Sequence, residues 1–457
     1  MKKKPNQKRN RREFIKTGLK ASASVYLATT ALDASAYRRI PGANERIRVG
    51  VVGFSDRFRQ SLFPAFNVHS KELNCEIVAV SDIWKKRREE GLAFLKEHTG
   101  GKINAWRNNQ ELYNHEPLDA VIISTADFQH ALHTIEAVEA GCDAYVEKPF
   151  AETMADNNAA FAAVKKSGKI ISIGSQRRSG ANYQSAADYI QSGKFGKVNM
   201  VELTWNVNQP GRWRRPALVA QCNAEDTDWF RFLMNRPYEP WDARKFLEYR
   251  LFWPYSSGIP GQWMSHQIDT VHWFSGLPHP RSCVANGGIY QWHDGRQSWD
   301  TLTAVFDYGP EDKPEDGFQV MFTSRQHNGT ENPAELYFSN GGELNLITNK
   351  VSSRGGLTKV HAEAMGMQPY LLEDYDLAAA AKVVAAANTG SDPLTSAHMR
   401  NWMECLRSRN QTNAPVEAGY SHSIANIMVT AAARMGGKST FDPKTRQVMV
   451  NGRSFLY

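Results

Sequence analysis

The sequence predicts an α/β fold in which a doubly wound parallel sheet is followed by an α/β domain with an open, mostly antiparallel sheet. From residue 47 onward, short apolar strands alternate with helices. Because crossovers between parallel strands are right-handed, the loops after these strands should meet at one edge of the sheet. From about residue 177, alternating apolar and polar residues predict antiparallel strands with one exposed face.

The first predicted domain covers residues 47–175. Its predicted strands are IRVGVVGF, CEIVAVSD, LDAVIISTA, DAYVEKPF and KIISIGS. Helices are predicted between them, the first over residues 57–72, and glycines such as Gly100 and Gly141 stand at helix ends. The sequence therefore predicts a parallel sheet with helices on both faces.

The second predicted domain covers residues 176–457. The stretches VNMVELTWNV, TLTAVFDY, GFQVMFTSR and AELYFSN predict strands. A late helix, TSAHMRNWMECLRSR, begins at a threonine that we expect to cap it. No internal repeat interrupts this part of the chain.

The first 46 residues are predicted to precede the fold. A cluster of lysines and arginines leads through RREFIK into a mildly apolar stretch that ends at Ala34-Ser35-Ala36. This order predicts a signal peptide over residues 1–36 that resembles the twin-arginine export signal, and a polar linker over residues 37–46. A disordered basic tail is the alternative. The apolar stretch is too short to span a bilayer, so we expect an exported, periplasmic or other extracytoplasmic protein with no stable membrane insertion.

The charge and the cysteines exclude several classes of protein. The formal net charge is +8, but residues 1–36 hold nine lysines and arginines and two acids, so +7 belongs to the predicted signal. The remaining chain is near +1 and has no basic patch that predicts nucleic-acid binding. The five cysteines have no C-x-x-C spacing, which argues against a metal site or a disulfide framework and predicts buried thiols.

The turn after the first strand, GFSDRF, stands where a dinucleotide-binding domain keeps its G-x-G-x-x-G fingerprint. Gly53 can make the tight turn, but Ser55 and Phe58 occupy the other two glycine positions. We expect the Ser55 hydroxyl and the backbone amides around Asp56 and Arg57 to hold a pyrophosphate. Phe58 is expected to shift the start of the helix outward. By itself this turn is equally compatible with an ordinary strand–helix connection.

Asp82 strengthens the prediction of a dinucleotide site. It ends the second strand, in the position of the acid that accepts hydrogen bonds from the adenosine ribose. An acid here disfavours a 2′-phosphate, so NAD is preferred over NADP, although Lys85 and Lys86 lie close by. A helix N-cap is the alternative role for Asp82.

Four blocks of sequence resemble the Gfo/Idh/MocA family of NAD(P)-dependent sugar and polyol oxidoreductases. They are YVEKPF behind ISTADFQH, and residues 173–198, 256–273 and 398–423. The resemblance implies a Rossmann domain followed by an open antiparallel α/β domain. It also implies a nicotinamide cofactor, a small carbohydrate substrate and a homo-oligomer, a dimer or a tetramer.

The resemblance also implies roles for particular residues. The family's lysine falls on Lys148, which would contact the nicotinamide ribose and the reacting hydroxyl. Removal of a hydride from an alcohol carbon requires a base for the hydroxyl proton, and a buried lysine beside a positive ring has a lowered pKa. The family's Asp and His, four residues apart, fall on Gln262 and His266. Since Gln262 cannot act as a base, Lys148 and His266 are the predicted catalytic residues.

Further residues complete the two predicted sites. Thr125, His130 and Glu147 are expected on the cofactor side, with a helix cap as the alternative role for His130. On the substrate side we expect Gln176 and Arg177, with an ion pair between the domains as the alternative, and also Gln262, His266 and Trp263. Seven of the twelve tryptophans fall within residues 205–273, where aromatic rings can stack on sugars or, for most of them, form ordinary core.

These observations predict an exported oxidoreductase that transfers a hydride between a nicotinamide cofactor and a hydroxyl of a sugar, glycoside or polyol. Because an exported enzyme cannot draw on cytoplasmic NAD, the cofactor should be tightly bound. One alternative is a glycosidase that oxidises a sugar hydroxyl transiently, eliminates the aglycone and takes the hydride back. Another is a non-catalytic carbohydrate-binding relic, which Ser55, Phe58 and Gln262 favour.

Overall fold

Six parallel strands form the first sheet. The structure is a computed structural model that describes residues 45–330, 334–377 and 392–457. The predicted signal peptide, residues 1–36, lies outside the described residues. The strands are β1 Ile47–Val52, β2 Cys75–Ser81, β3 Asn104–Trp106, β4 Ala120–Ile123, β5 Asp143–Val146 and β6 Ile171–Ile173. Their order is β3-β2-β1-β4-β5-β6, as predicted for a doubly wound sheet.

The helices of this domain cover both faces of the sheet. They are α1 Phe63–Ser70, α2 Lys85–Thr99, α3 Asn109–His115, α4 His130–Glu139 and α5 Met154–Ser167. Apolar residues of β1 alternate between two cores: Val49 and Val51 face one, and Val52 faces the other. The alternation explains why each strand needs a nearly continuous apolar sequence.

Strand β3 and helix α3 were not predicted from the sequence. Strand β3 has three residues, lies at the edge of the sheet and is only half-buried. A strand this short offers too few positions for a periodic pattern to be recognised. Helix α3 has seven residues and buries Leu112 alone, so its amphipathic signal is equally weak.

The second sheet has eleven strands within the described ranges. They are β7 Met200–Thr204, β8 Ser282–Gly288, β9 Thr301–Tyr308, β10 Phe318–Arg325, β11 Ala334–Ser339, β12 Gly342–Asn345, β13 Lys350–Ser352, β14 Tyr375–Asp376, β15 Ser439–Asp442, β16 Gln447–Val450 and β17 Arg453–Ser454. Their order is β14-β13-β12-β11-β7-β10-β9-β8-β15-β16-β17, and all pairs are antiparallel except β7 with β10. Burial alternates along β9 and β10, which confirms the predicted open, mostly antiparallel sheet with one buried face.

Helices cover the buried face of the second sheet and connect it to the first. They are α6 Ala181–Gln191, α7 Pro216–Val219, α8 Trp229–Leu233, α9 Ala243–Leu247, α10 Ser265–Ser275, α11 Lys359–Ala364, α12 Pro393–Ser408 and α13 Val416–Met435. None of the helices in the described ranges is both long enough and apolar enough to cross a membrane.

Helix α12 returns to the first sheet, although it comes from the predicted second domain. Its residues Met399 and Trp402 share a core with Val49 and Tyr145. Its cap is Asp392, whose side chain accepts a hydrogen bond from Leu394 N at 3.1 Å, so the predicted threonine cap was wrong. All five cysteines are buried and free, as expected.

Candidate active site

The turn after β1 requires glycine at position 53. Gly53 has φ +83°, and a Cβ there would lie 2.7 Å from Thr125 Cγ2. Ser55 follows as the cap of the next helix: its Oγ accepts from Phe58 N at 3.1 Å and donates to Ser124 Oγ at 3.1 Å. The Ser55 hydroxyl, which was predicted to bind the pyrophosphate, is therefore engaged in hydrogen bonds within the protein. The backbone amides at the start of the helix remain as donors to a phosphate.

Contrary to the expectation from the sequence, Phe58 does not shift the start of the helix outward. Helical structure begins at Asp56, directly after Ser55, and continues through a π-helical turn, Phe58–Leu62, into α1. The Phe58 ring is fully buried and packs against the rings of Phe54 and Phe63, with centroids 5.8 and 6.1 Å away. The widened turn accommodates this bulky ring where the fingerprint has glycine.

Asp56 and Arg57 open this helix. The first helical hydrogen bond runs from Arg59 N to Ser55 O at 3.0 Å. The backbone amides of Asp56 and Arg57 come before this bond, at the N-terminal end of the helix, where amide donors suit an anion. The Asp56 carboxylate contacts three arginines, Arg87 at 2.9 Å, Arg215 at 3.6 Å and Arg59 at 3.7 Å. These contacts hold the turn in place from both sides.

Asp82 connects the loops after β1 and β2. Its Oδ2 accepts from Phe54 N at 2.9 Å and its Oδ1 accepts from Trp84 N at 2.8 Å. Burial raises the pKa of Asp82, against these two backbone hydrogen bonds. The N-cap of α2 is Trp84, so the predicted alternative role of Asp82 as that cap was wrong.

Thr125 and His130 lie at the loop after β4. The His130 ring contacts two carbonyl oxygens, Pro149 O from Nδ1 at 2.7 Å and Thr125 O from Nε2 at 3.2 Å, and so joins the loops after β4 and β5. Burial lowers its pKa. Thr125 Oγ1 is buried without a hydrogen-bond partner among the described residues, and it therefore offers a bond to a ligand.

Lys148 follows β5 and reaches the second domain. Its Nζ donates to Gln262 O at 2.6 Å. Burial lowers the pKa of Lys148 to about 7, although the carboxylates of Glu147 and Asp127 act in the opposite direction. At neutral pH a large fraction of this amine is therefore uncharged and can accept a proton.

Glu147 is turned away from Lys148 towards the turn after β1. Its Oε1 accepts from Arg57 Nε at 2.9 Å. Burial by itself would raise the pKa of Glu147, but the charges of Arg57 and Lys148 outweigh burial and lower it. Glu147 is thus an anion that fixes Arg57 at the edge of the sheet.

The π-helical turn Pro260–Met264 and the start of α10 carry the predicted substrate-side residues. The His266 ring stacks on Trp205 with a centroid distance of 5.5 Å. Burial, followed by the positive charges of Lys148 and Arg177, holds the pKa of His266 well below its ordinary value. His266 is therefore neutral at neutral pH, which makes it a hydrogen-bonding residue beside Lys148 rather than a competing cation.

A buried carboxylate from the first domain stands beside Gln262. Asp127 Oδ2 accepts from Gln262 Nε2 at 2.7 Å and from Ser256 Oγ at 2.6 Å, and Arg250 Nη2 lies 3.1 Å from Oδ1. The sequence analysis missed both Asp127 and Arg250. Asp127 lies three residues before His130 in the quoted ISTADFQH block, but only the fold reveals that it faces Gln262.

Of the predicted substrate residues Gln176 and Arg177, only Gln176 lies at the cavity. Gln176 lines the cavity described below, and its buried Oε1 has no hydrogen-bond partner among the described residues. Arg177 does not line it: this side chain forms a buried ion pair with Glu335 and packs on the Trp205 ring at 5.5 Å. Arg177 is therefore in an ion pair, but this pair lies within the second domain and not between the domains as the alternative expected, because Glu335 also belongs to residues 176–457.

A cavity of about 1590 Å³ brings these residues together. The first domain contributes the loops after β1, β2, β4 and β5, and the second contributes the start of α10 and the segment before it. The predicted residues at its wall are Gly53, Ser55, Asp56, Arg57, Asp82, Thr125, His130, Glu147, Lys148, Gln176, Gln262, Trp263 and His266. Pockets that bind one small molecule measure about 300–1,000 Å³, so this cavity is large enough for two ligands.

Three of the seven clustered tryptophans line this cavity, and four do not. Trp205, Trp213 and Trp263 form one wall, with Trp263 between the other two at 6.3 and 5.5 Å. The remaining four pack elsewhere, as the core interpretation expected for most of the cluster.

Residues 209–250, which we call the covering segment, extend from the second domain over the loops of the first. Asp228 N donates to Ile83 O at 3.1 Å, Gln129 Nε2 donates to Phe232 O at 2.8 Å, and Arg236 pairs with Asp156 at 3.0 Å. The segment supplies Arg212, Phe230 and other residues to the wall. It therefore encloses the side of the cavity that the strand loops leave open.

The described ranges contain no cluster of three or more histidine, cysteine or acidic side chains that could hold a metal ion. The donor set fits a dinucleotide instead. Gly53 leaves space for close backbone approach, the helix start offers amides, Asp82 stands at the end of β2 and Thr125 offers an unsatisfied hydroxyl.

Comparison with known families gives one match. The sequence model described as "Oxidoreductase family, NAD-binding Rossmann fold" (GFO_IDH_MocA) matches residues 47–175.

Several curated proteins are similar to part of the chain. An inositol 2-dehydrogenase of Salmonella typhimurium is 26% identical over 195 residues, 42% of this chain and 54% of that protein. A 1,5-anhydro-D-fructose reductase of Ensifer adhaerens is 26% identical over 197 residues, 41% and 56% of the two chains. A scyllo-inositol 2-dehydrogenase (NAD(+)) of Bacillus subtilis is 30% identical over 153 residues, 33% and 42%. The chain thus spans about half the length of the curated relatives it matches.

Solved structures are similar over nearly the whole chain. The WlbA dehydrogenase from Bordetella pertussis, in complex with NADH and UDP-GlcNAcA, has a TM-score of 0.61 at 16% identity and covers 87% of this chain and 99% of its own. A myo-inositol 2-dehydrogenase from Lactobacillus plantarum has a TM-score of 0.60 at 15% identity, with coverage of 87% and 100%. At such identities the likeness establishes the fold alone.

Proposed function

We propose a reaction for the whole protein from the match of residues 47–175 to the oxidoreductase family with an NAD-binding Rossmann fold. It transfers a hydride between a nicotinamide cofactor and a hydroxyl-bearing carbon of a sugar, glycoside or polyol. The observation that carries the proposal is Lys148, a buried amine with a pKa of about 7 between the cofactor loops and the substrate-side helix.

Lys148 is the general base of this proposal. Its neutral amine accepts the proton of the substrate hydroxyl during oxidation and returns that proton during reduction. The bond from Nζ to Gln262 O orients the amine. A bound nicotinamide supplies the hydride acceptor or donor.

His266 and Gln262 position the substrate in this proposal. His266 is neutral, so its ring offers one donor and one acceptor nitrogen to substrate hydroxyls. Gln262 stands where the family has an aspartate, and it is bonded to the Asp127 carboxylate. Asp127 thus supplies from the first domain a negative charge that raises the pKa of Lys148 against the effect of burial.

The cofactor proposed is NAD, held tightly. Gly53 and the amides of Asp56 and Arg57 would hold its pyrophosphate, and Asp82 would accept from its adenosine ribose, which disfavours a 2′-phosphate. Enclosure by the covering segment supports slow release. Export by the twin-arginine route, with folded protein carrying its cofactor, remains part of the proposal, as does assembly of copies into a dimer or tetramer.

Native mass spectrometry of the purified protein tests the cofactor and the assembly together. We expect a retained nicotinamide dinucleotide and a dimer or tetramer. Purified protein that contains no nicotinamide and shows no change in melting temperature with NAD or NADP would support the non-catalytic relic.

A panel of sugars, inositols and aryl glycosides tests the reaction. We expect reduced nicotinamide to form with at least one polyol or sugar, and the Lys148→Met variant to bind the dinucleotide but lose about 10²–10⁴-fold in rate. Aglycone release without net reduced nicotinamide would instead support the glycosidase.

A further inference from the structure

Arg212 stands apart from the other arginines of the cavity wall. Six arginines in the described residues line the cavity, and for five of them a carboxylate lies within 4 Å: Arg57, Arg87, Arg215, Arg231 and Arg250. No described carboxylate lies within that distance of Arg212. Its Nη1 donates to the neutral Gln209 Oε1 at 2.8 Å, and its buried Nε has no hydrogen-bond partner among the described residues.

A buried guanidinium N–H without an acceptor is destabilising unless a ligand supplies one. Burial, followed by the positive charges of Arg250 and Arg215, lowers the pKa of Arg212 to about 10, so the group is still a cation at neutral pH. The Nε of Arg250 is also buried without a partner among the described residues. This end of the cavity therefore holds two buried guanidinium N–H groups without an acceptor among the described residues, and one of them belongs to an arginine with no carboxylate within 4 Å.

The position of Arg212 is on the substrate side. Its guanidinium lies over the Trp263 ring at 5.6 Å, and Trp263 adjoins Trp205, on which His266 stacks. The next residue, Trp213, has φ +64°, a strained conformation for a bulky side chain, and its ring contacts Trp263 at 5.5 Å. The loop is thus held in a costly shape that presents a cation beside an aromatic wall.

We propose that the carbohydrate bound here carries an anionic group, a carboxylate or a phosphate, and that Arg212 is its principal ligand. The guanidinium fork matches either group in two hydrogen bonds, and the tryptophan wall takes the apolar face of the sugar ring. This inference rests on the proposed function, because it names the substrate class of the same cavity.

Binding to the dinucleotide-loaded protein tests this inference without requiring turnover. The probes are matched by skeleton: D-glucuronate, D-gluconate and D-glucose 6-phosphate against D-glucose, and myo-inositol 1-phosphate against myo-inositol. Titration calorimetry compares the wild type with Arg212→Gln, Arg212→Lys and the control Arg354→Gln, an arginine that is 80% exposed and does not line the cavity. Affinity for NAD is measured first for every variant.

We expect at least one acidic probe to bind more tightly than its neutral partner, and its affinity to fall as salt rises. Arg212→Gln should reduce this preference about ten- to hundredfold, Arg212→Lys should retain part of it, and Arg354→Gln should retain it fully. Carboxylate and phosphate probes distinguish the two sources of the anion.

Three results would overturn the inference. They are a panel in which no acidic probe binds, equal binding of acidic and neutral partners, or an Arg212→Gln variant that weakens NAD binding while leaving the preference intact. The last result would assign Arg212 to the cofactor. If NAD itself does not bind the wild type, the proposed function fails, and the probe titrations on the dinucleotide-free protein still report whether an anion binds at Arg212.

Discussion

A lysine amine becomes a base at neutral pH only where its surroundings disfavour its charge, and burial has this effect at Lys148. The lowered pKa, about 7, means that the neutral amine predominates above that pH and the ammonium below it. Glu147, Asp127, Arg250 and Arg57 act on this pKa from four segments of the chain, and the two carboxylates prevent a still lower value.

The pH profile tests this assignment. We expect kcat/KM for oxidation to rise about tenfold per pH unit below 7 and to level off above it, because only the neutral amine accepts the proton. Lys148→Arg, which stays charged, should remove this limb and lower the rate. Lys86→Arg, outside the cavity, should leave the profile of steady-state rates unchanged. An identical limb in Lys148→Arg would assign the base to another residue.

Phe58 gives a second prediction at the scale of one residue. Because its ring is fully buried among Phe54 and Phe63, we expect Phe58→Ala to lower the free energy of unfolding by about 3–5 kcal/mol. Phe230→Ala, the same change at a ring that is 74% exposed, should stay within about 0.5 kcal/mol. Denaturant unfolding measures both. Equal effects would mean that Phe58 does not occupy the core.

At the scale of elements, helix α13 holds the loop that carries Lys148. Phe150 N donates to His422 Nε2 at 3.2 Å, and Ala151 N donates to Ser423 Oγ at 3.0 Å. Gly419 allows this approach, since a Cβ there would lie 2.8 Å from the Phe150 ring. The same helix packs into two cores. Val416 lies in one core of the first sheet, and Met428 lies in the core of the second domain.

We expect Gly419→Val to displace this loop. Overpacking should lower the free energy of unfolding by about 1–3 kcal/mol and should reduce kcat, because Lys148 moves with Phe150. Ala433→Val, at a half-buried position of the same helix, is the matched control. Unfolding and steady-state kinetics are compared, and a loss of stability with unchanged kcat would separate α13 from the positioning of Lys148.

At the scale of the whole molecule, the dinucleotide should stabilise the fold by binding in the cavity between the first and the second domain. A ligand present at one hundred times its Kd raises the free energy of unfolding by about 2.7 kcal/mol. We expect this increase when NAD is added to stripped protein, and none for Gly53→Val, whose side chain would enter the cofactor turn. Denaturant unfolding with and without NAD is the measurement. A stripped protein that NAD does not stabilise would contradict the cofactor assignment.

The proposed export is tested on the full chain. We expect Arg11→Lys together with Arg12→Lys to retain the protein inside the cell, because the twin-arginine route reads the guanidinium pair. Lys3→Arg together with Lys4→Arg preserves the charge elsewhere and should leave export intact. Fractionation followed by immunodetection compares the two pairs. Equal export of both would favour a different route.

The parallel sheet was predictable because its strands are apolar throughout and its helices are periodic, and these are local signals. The meeting of Gly53, Asp82, Thr125 and Lys148 at one edge followed from the parallel direction of the strands, whose carboxyl ends share that edge. Strand β3 was not predictable, since three half-buried residues at an edge leave no pattern. The cap at Asp392 was missed because a neighbouring threonine offers the same chemistry.

The sequence by itself determined the fold class, the edge where a dinucleotide fits and the presence of Lys148 and His266, because strand pattern and chain order dictate these. Only the tertiary structure decided which charges are compensated. Arg177 meets Glu335, Asp127 meets Arg250, and Arg212 meets no described carboxylate. An ion pair depends on two positions distant in the chain, and no local pattern records which of them the fold brings within reach.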